Sequence, residues 1–328
     1  NLYRDGGVAR TFASRMTVRE VTRKWRRFVF LAVFMLAVVF AIVTAIVSMY
    51  YAGEVIRPAR SAVEPINKNI AFPYTSISFK SRDETAQLYG WHFNAKKTDR
   101  ALIIVHGFGG NRFPFGLETI DLIETAVSAD FNVLVFDMRN SGNAEEGISA
   151  FGLHEKYDVL GAVDYLRNAG YSSIAVLGVS TGANAAAAAG AMAGTDEIAA
   201  LILDSPIVDT RNFVMRLVGV MNPDLPEFPF NYEIEAFTGF YLGAGVSGAD
   251  AAVGLDGFMP RPVQLIYGNN DEIVSLEEIT ALYDDYMSRA VGKISIWYVQ
   301  GAAHGDCFNA AKDEYLERVA TFLRRVFT

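Results

Sequence analysis

Gly178-Val179-Ser180-Thr181-Gly182 places one hydroxyl between two glycines. The motif sits in IAVLGVSTGANAAAAAG, where a β-branched run gives way to a helix of small residues. A serine on so sharp a strand–turn–helix junction presents its hydroxyl at a helix N-terminus, where partial positive charge favours a developing anion. Glycines two positions to either side relieve crowding in a strained turn. The competing reading is packing, since glycine and alanine let two elements come close. A reactive serine needs a base. Of four histidines, His304 in VQGAAHGD follows the last apolar run and precedes the last helical pattern, which puts it on a strand-end loop. His106 ends another apolar run, but the HGFGG that it opens points to a different role. His92 lies in an early hairpin, and His154 starts a helical pattern, where capping or exposure is ordinary. The base needs a carboxylate to fix its tautomer. Asp271 in YGNNDEIV and Asp204 in LILDSP both follow apolar runs, and both keep the order Ser, Asp, His. Asp271 is favoured because it ends the run just before the one leading to His304. Asp204 is the alternative, its ordinary role being a turn residue before Pro206. Asp137 precedes Ser180 and breaks the order; Glu272 would point elsewhere. Acyl transfer also needs donors for an oxyanion. HGFGGNR supplies one at the backbone N–H of Phe108, the motif itself another at Thr181, and Asn111 and Arg112 are expected to line the mouth. GFGG as a phosphate cradle is disfavoured, since no G-x-x-x-x-G-K follows and the spacing is not G-x-G-x-x-G.

Elements that could position these residues alternate along the chain. YTSISF and AQLYGWHF read as a strand pair joined by the turn KSRDET. The runs 101–106, 132–137, 174–179, 199–204, 263–268 and 294–299 are rich in Val, Ile and Leu and bounded by Gly, Asn, Asp or Pro. Such runs suit central strands of a parallel sheet, covered on both faces. Helical patterns fall at 117–128, 154–168, 183–193, 276–290 and 310–326. Strand, helix, strand, helix implies an α/β fold, whose ligands bind at the carboxyl ends of the strands. Residues 52–72, with Pro58 and Pro65, read as a linker. The stretch 207–262 breaks the alternation with several prolines and six phenylalanines and reads as an insertion over the sheet.

The 328-residue chain is 51% hydrophobic and 20% charged, enough for a sizeable core. Its net charge of −8 is uneven: residues 1–27 hold eight basic and two acidic side chains, a net +6, which leaves −14 for the rest. So acidic a body argues against nucleic acid as the main partner. The single cysteine, Cys307, excludes an intrachain disulfide and a zinc site built on several thiolates. Phe28–Tyr51 is nearly all apolar and, as a helix, would span roughly 36 Å, enough for a ~30 Å hydrocarbon core. Its length, and the lack of an A-x-A site in SMYYAGEV, favour an anchor over a cleaved signal peptide. Trp25, Tyr50 and Tyr51 suit the two interfaces. The basic flank puts the N-terminal side in the cytoplasm and residues after 55 on the extracytoplasmic side. Met16–Arg27 reads either as a basic helix on anionic lipid or as a disordered tail.

HGFGGNR, FDMRNSGNA, FGLHEKYDVLGAVDYL, GVSTG, LILDSP, GNNDEIV and GAAHGD together resemble the α/β-hydrolase superfamily over roughly residues 74–328. In particular they are similar to its membrane-anchored bacterial serine hydrolases of the peptidase S9-like, BEM46-like esterase type. The resemblance implies an eight-stranded, mostly parallel sheet with helices on both faces. It also implies Ser180 as nucleophile, Asp271 as acid, His304 as base and a lid at about 207–262. Relatives usually read R-G-H-G-x-S where this chain has Arg139–Ala144, and often Met at Thr181; the first departure bears on substrate. The organisation expected is a basic segment 1–27, a membrane helix 28–52, a linker 53–73 and a hydrolase domain 74–328. The activity expected is hydrolysis of a small or lipid-like ester, with no metal or cofactor and with the bilayer as partner through Phe28–Tyr51. The rival expectation is a catalytically silent subunit docking in a larger membrane complex.

Overall fold

The computed structural model describes residues 18–66, 70 and 72–327. It divides into two units, one up to Val47 and one from Ser48 on.

The first unit is helix. A single α-helix, α1, runs from Val18 to Val55 over 38 residues, about 57 Å. No glycine or proline interrupts it before Gly53, so nothing breaks the hydrogen-bond ladder. Its apolar side chains are exposed all round, with no polar face between Phe28 and Val43. A helix of this kind is covered by a core or by lipid. Val21–Val55 is long and apolar enough to cross a membrane, a property that anchors and signal sequences share. The basic stretch from Val18 to Arg27, expected either as a separate surface helix or as a disordered tail, forms the first turns of this same helix; residues 1–17 lie outside the described residues.

The second unit is an eight-stranded sheet with helices on both faces. Its strands are β1 (Thr75–Lys80), β2 (Gln87–Phe93), β3 (Arg100–Val105), β4 (Asn132–Asp137), β5 (Ser173–Val179), β6 (Ala200–Asp204), β7 (Val263–Gly268) and β8 (Ile294–Val299). The order is β1-β2-β4-β3-β5-β6-β7-β8, antiparallel at β1–β2–β4 and parallel from there on. Alternation along each strand feeds two cores. In β3, Ala101, Ile103 and Val105 face one core, and Leu102 and Ile104 the other. The first core is closed by α3 (Glu155–Asn168), α4 (Thr181–Met192), α7 (Ala251–Phe258) and α8 (Leu276–Arg289). The second is closed by α2 (Thr119–Ser128), α9 (Cys307–Ala310) and α10 (Lys312–Val326). Burial on both faces explains why β3 to β7 read as continuous apolar runs.

The insertion between β6 and β7 divides in two. Its last helix, α7, joins the sheet's helix layer: Gly254 and Gly257 lie so close to Ala187 and Ala191 of α4 that neither could carry a side chain without displacement. The remainder, α5 (Thr210–Met221) and α6 (Glu227–Leu242), forms a cap. The final turns of α1 belong to this unit. There Ser48 Oγ donates to Glu233 of α6 at 2.8 Å, and Ala52, Val55 and Ile56 are buried in the first core.

Candidate active site

The carboxyl end of the parallel sheet gathers the loops after β3, β5, β7 and β8. Ser180 ends β5 and starts α4 with φ 55° and ψ −124°, a conformation that costs a non-glycine residue energy and persists only where its surroundings impose it. Here the surroundings are tight. A Cβ on Gly182 would lie 2.2 Å from the His106 carbonyl oxygen, and one on Gly178 would lie 2.4 Å from the Gly182 carbonyl oxygen. The Ser180 N–H donates to the Asp204 carbonyl on the neighbouring strand at 2.8 Å. The turn therefore cannot relax without separating α4 from β3.

Ser180 Oγ lies 2.9 Å from His304 Nε2, and His304 Nδ1 lies 2.7 Å from Asp271 Oδ2. The Asp271 side chain is fully buried, and its other oxygen accepts the backbone N–H groups of Ile273 and Val274, both at 2.8 Å. Three bonds thus fix a carboxylate that can hold only the Nδ1–H tautomer, which leaves Nε2 free to accept the serine proton. The two loops are tied to each other. Asn270 N–H donates to the Ala302 carbonyl at 3.0 Å, and Gly301 N–H to Asn269 Oδ1 at 2.6 Å. Ser275 caps α8 through a reciprocal pair with Glu278, which ends the acid loop.

Phe108 follows β3 and Thr181 begins α4, the two positions expected to supply oxyanion donors. Among the described residues, no acceptor engages either backbone N–H. His106 holds the Phe108 loop. Its Nε2 accepts the Met138 N–H at 3.1 Å, so the ring proton sits on Nδ1 and donates to the Gly107 carbonyl at 2.7 Å. Burial keeps this histidine's pKa below the ordinary range, hence neutral. Phe108 stacks on Phe151, and Phe213 of α5 packs edge-on against both, which brings the cap over the site.

Asn111 lines a cleft of about 280 Å³ beside the Phe108 loop, as expected. Arg112 does not. It turns inward, 3% exposed, to pair with the fully buried Asp137 at 2.5 Å. An arginine in HGFGGNR is drawn there because Asp137, ending a buried strand, is fully shielded from solvent and needs a cation. Asp204, the alternative acid, sits behind the site. Its Oδ1 accepts from Ser205 Oγ at 3.0 Å, while Oδ2 has no partner. Burial pushes its pKa up to about 6. Ser205 Oγ in turn accepts the Gly305 N–H at 3.0 Å, next to His304. His92 packs edge-on against Tyr165 and Tyr171, and His154 stands at the N-cap of α3.

Two contributors have no motif. Asn184, the one polar residue in the alanine run of α4, clasps both roots of the cap: it accepts from Ile207 N–H at 2.8 Å and donates to the carbonyls of Ile207 at 2.8 Å and Ala249 at 2.6 Å. A lone asparagine amid alanines was the available signal. The chain from Ile56 to Ala62 lies against the Phe108 loop, and composition gives no hint of it. Among the described residues, no cluster of His, Cys, Asp and Glu is arranged to hold a metal ion.

The family model for the alpha/beta hydrolase fold matches residues 100–233. No curated protein matches the chain by sequence. Solved structures do. An esterase of Pyrococcus furiosus is similar with a TM-score of 0.68 at 22% identity, over 84% of this chain and 99% of that one. The α/β hydrolase GrgF of Penicillium superposes with a TM-score of 0.58 at 18% identity, over 77% and 99%. Est1E of Butyrivibrio proteoclasticus, solved with ferulic acid, gives 0.54 at 19% identity, over 75% and 96%. The sheet order, the strand-end loops and these superpositions together make the fold that of an α/β hydrolase.

Proposed function

We propose that the protein is a membrane-anchored serine hydrolase that cleaves carboxylic esters through an acyl-enzyme. The hydrogen-bonded chain Ser180–His304–Asp271, at 2.9 and 2.7 Å, carries this reading. His304 Nε2 takes the Ser180 proton as Oγ attacks the ester carbonyl, and the oxyanion rests on the N–H groups of Phe108 and Thr181. Collapse breaks the bond to the alcohol, which leaves with the proton from His304. Water then gives a proton to His304 and attacks the acyl carbonyl, releasing the acid and restoring Ser180. Asp271 holds the imidazolium without taking its proton. Likeness to an esterase supports ester over amide chemistry. Within the fold we place the chain nearest the anchored S9-like, BEM46-like esterases, on its apolar helix and motif order.

In this reading residues 1–27 are cytoplasmic, 28–52 cross the bilayer once, 53–73 connect, and 74–328 form an extracytoplasmic hydrolase with its lid at about 207–262. Val220, Phe228 and Phe240 of the cap are 75–78% exposed, which supports a lipid-like ester as substrate. The same side chains would suit a silent subunit's docking face. The two readings separate with a fluorophosphonate probe: a hydrolase is labelled at Ser180 and turns over p-nitrophenyl esters, whereas a silent subunit does neither.

A further inference from the structure

The chain that leaves α1 runs beside the loop after β3 that carries Phe108. Ser149 N–H donates to the Ile56 carbonyl at 2.8 Å. Arg60 donates to the carbonyls of Gly142 at 2.7 Å and Ala144 at 2.5 Å, in the loop where the sequence departs from its relatives. Ser61 Oγ donates to the Gly109 carbonyl at 2.6 Å, and Asn111 Nδ2 to the Ala62 carbonyl at 2.8 Å. Pro58 Cβ lies 3.6 Å from where a Gly109 side chain would begin. Five hydrogen bonds thus fasten Ile56–Ala62, two to the loop that carries Phe108 and three to the stretch 142–149.

Ser61 also lines a cleft together with Gly107, Phe108, Phe113, Pro114 and Val179, and a Cβ on Gly107 would lie 3.2 Å from Ser180 Cβ. The cleft follows β3, and His304 follows β8; in the sheet these strands lie on opposite sides of β5, which carries Ser180. The departing alcohol must face His304 to receive its proton, so the acyl group is directed to the β3 side. We infer that the strap Ile56–Ala62 is the outer wall of the acyl site and that Ser61 limits the length of acyl chain accepted. This inference rests on the hydrolase reading above. Phe108, Phe113, Pro114 and Val179 supply apolar lining for an acyl chain, and Ser61 contributes only a small hydroxyl. The strap also lies within chain reach of the apolar helix, since six residues from Val55 to Ser61 span at most about 20 Å.

The experiment uses the full chain in detergent micelles, with Ser61→Trp and with Ser61→Cys converted after folding to mixed disulfides by alkyl methanethiosulfonates of increasing size, methanesulfinate leaving. The native thiol, Cys307, is buried, so the introduced thiol reacts selectively. The readout is the ratio of kcat/KM for p-nitrophenyl octanoate to that for the acetate. We expect the ratio to fall at least tenfold in Ser61→Trp and to fall stepwise with reagent size in the disulfide-modified protein. A ratio unchanged within twofold, or an equal loss for both esters, overturns the inference. If the wild type neither hydrolyses acetate nor takes up a fluorophosphonate, the hydrolase reading itself fails, a distinguishable result.

Discussion

The loops after β5, β7 and β8 and the strap from Ile56 to Ala62 are held differently. Each sheet-edge loop begins at a buried strand and is fixed by hydrogen bonds to its neighbours, as Ser180 is by Asp204 and Asn270 by Ala302. The strap has no strand to begin from. Side-chain hydrogen bonds from Ser61, Asn111 and Arg60 hold it, and Ser61 itself is exposed. Groups that must meet within hydrogen-bond distance are placed by the sheet, while a wall that only limits shape is placed by lighter fastenings. Changes in the first region should therefore abolish chemistry or folding, and changes in the second should alter selection.

The largest effect is expected at the serine and its base. Ser180→Ala or His304→Ala should each lower kcat on a short ester by roughly 10⁴–10⁶, with the thermal melting curve kept; loss below tenfold would break the comparison at its strongest point. Asp271→Asn should cost on the order of 10⁴ in kcat through the wrong tautomer. Gly182→Ala tests whether packing fixes the turn. The added methyl would overlap two carbonyl oxygens, and the loss should reach 3 kcal/mol or more, about the upper end for overpacking, read as a lowered urea midpoint or failure to fold. A melting curve like the wild type's would mean that α4 can back away from β3.

These expectations show what the sequence made legible. GVSTG, DEIV and AAHGD stood at strand ends because each strand is buried on both faces and so reads as an unbroken apolar run. All eight strands begin and end within one residue of the expected runs. Arg112 was misplaced because its partner, Asp137, is 25 residues away and no local pattern pairs them. The strap lies within the expected linker, where Pro58 and Pro65 resemble a tether's, and its fastenings reach residues some 50 to 90 positions further on. Local sequence reports periodicity and turns; long-range polar pairs leave no such trace.

Asp204 sharpens the comparison through pH. Its folded-state pKa, about 6, stands above the ordinary 3.8, so the native protein holds a proton that the unfolded chain releases between about pH 4 and 6. The stability this contributes is present below pH 4 and is lost as pH rises through 6, roughly 3 kcal/mol in all. Asp204→Asn should remove that loss, so its stability relative to wild type rises by about that amount between pH 4 and pH 7 in denaturant titrations. Parallel curves would show that the carboxyl is ionised throughout. A smaller effect is expected at Asn184→Ala, which strands one N–H and two carbonyls at the roots of the cap. The cost should be about 1–3 kcal/mol, with hydrogen exchange quickened in α5 and α6 but not in β5; equal quickening in both would deny the cap its separate attachment.

The central claim, that Ser180 is a nucleophile activated by His304, is tested most directly by intact-protein mass spectrometry after exposure to a fluorophosphonate. One adduct per chain, mapped to the peptide carrying Ser180 and absent from Ser180→Ala and His304→Ala, is the predicted result. No adduct on the wild type, or an adduct that persists in Ser180→Ala, would contradict it.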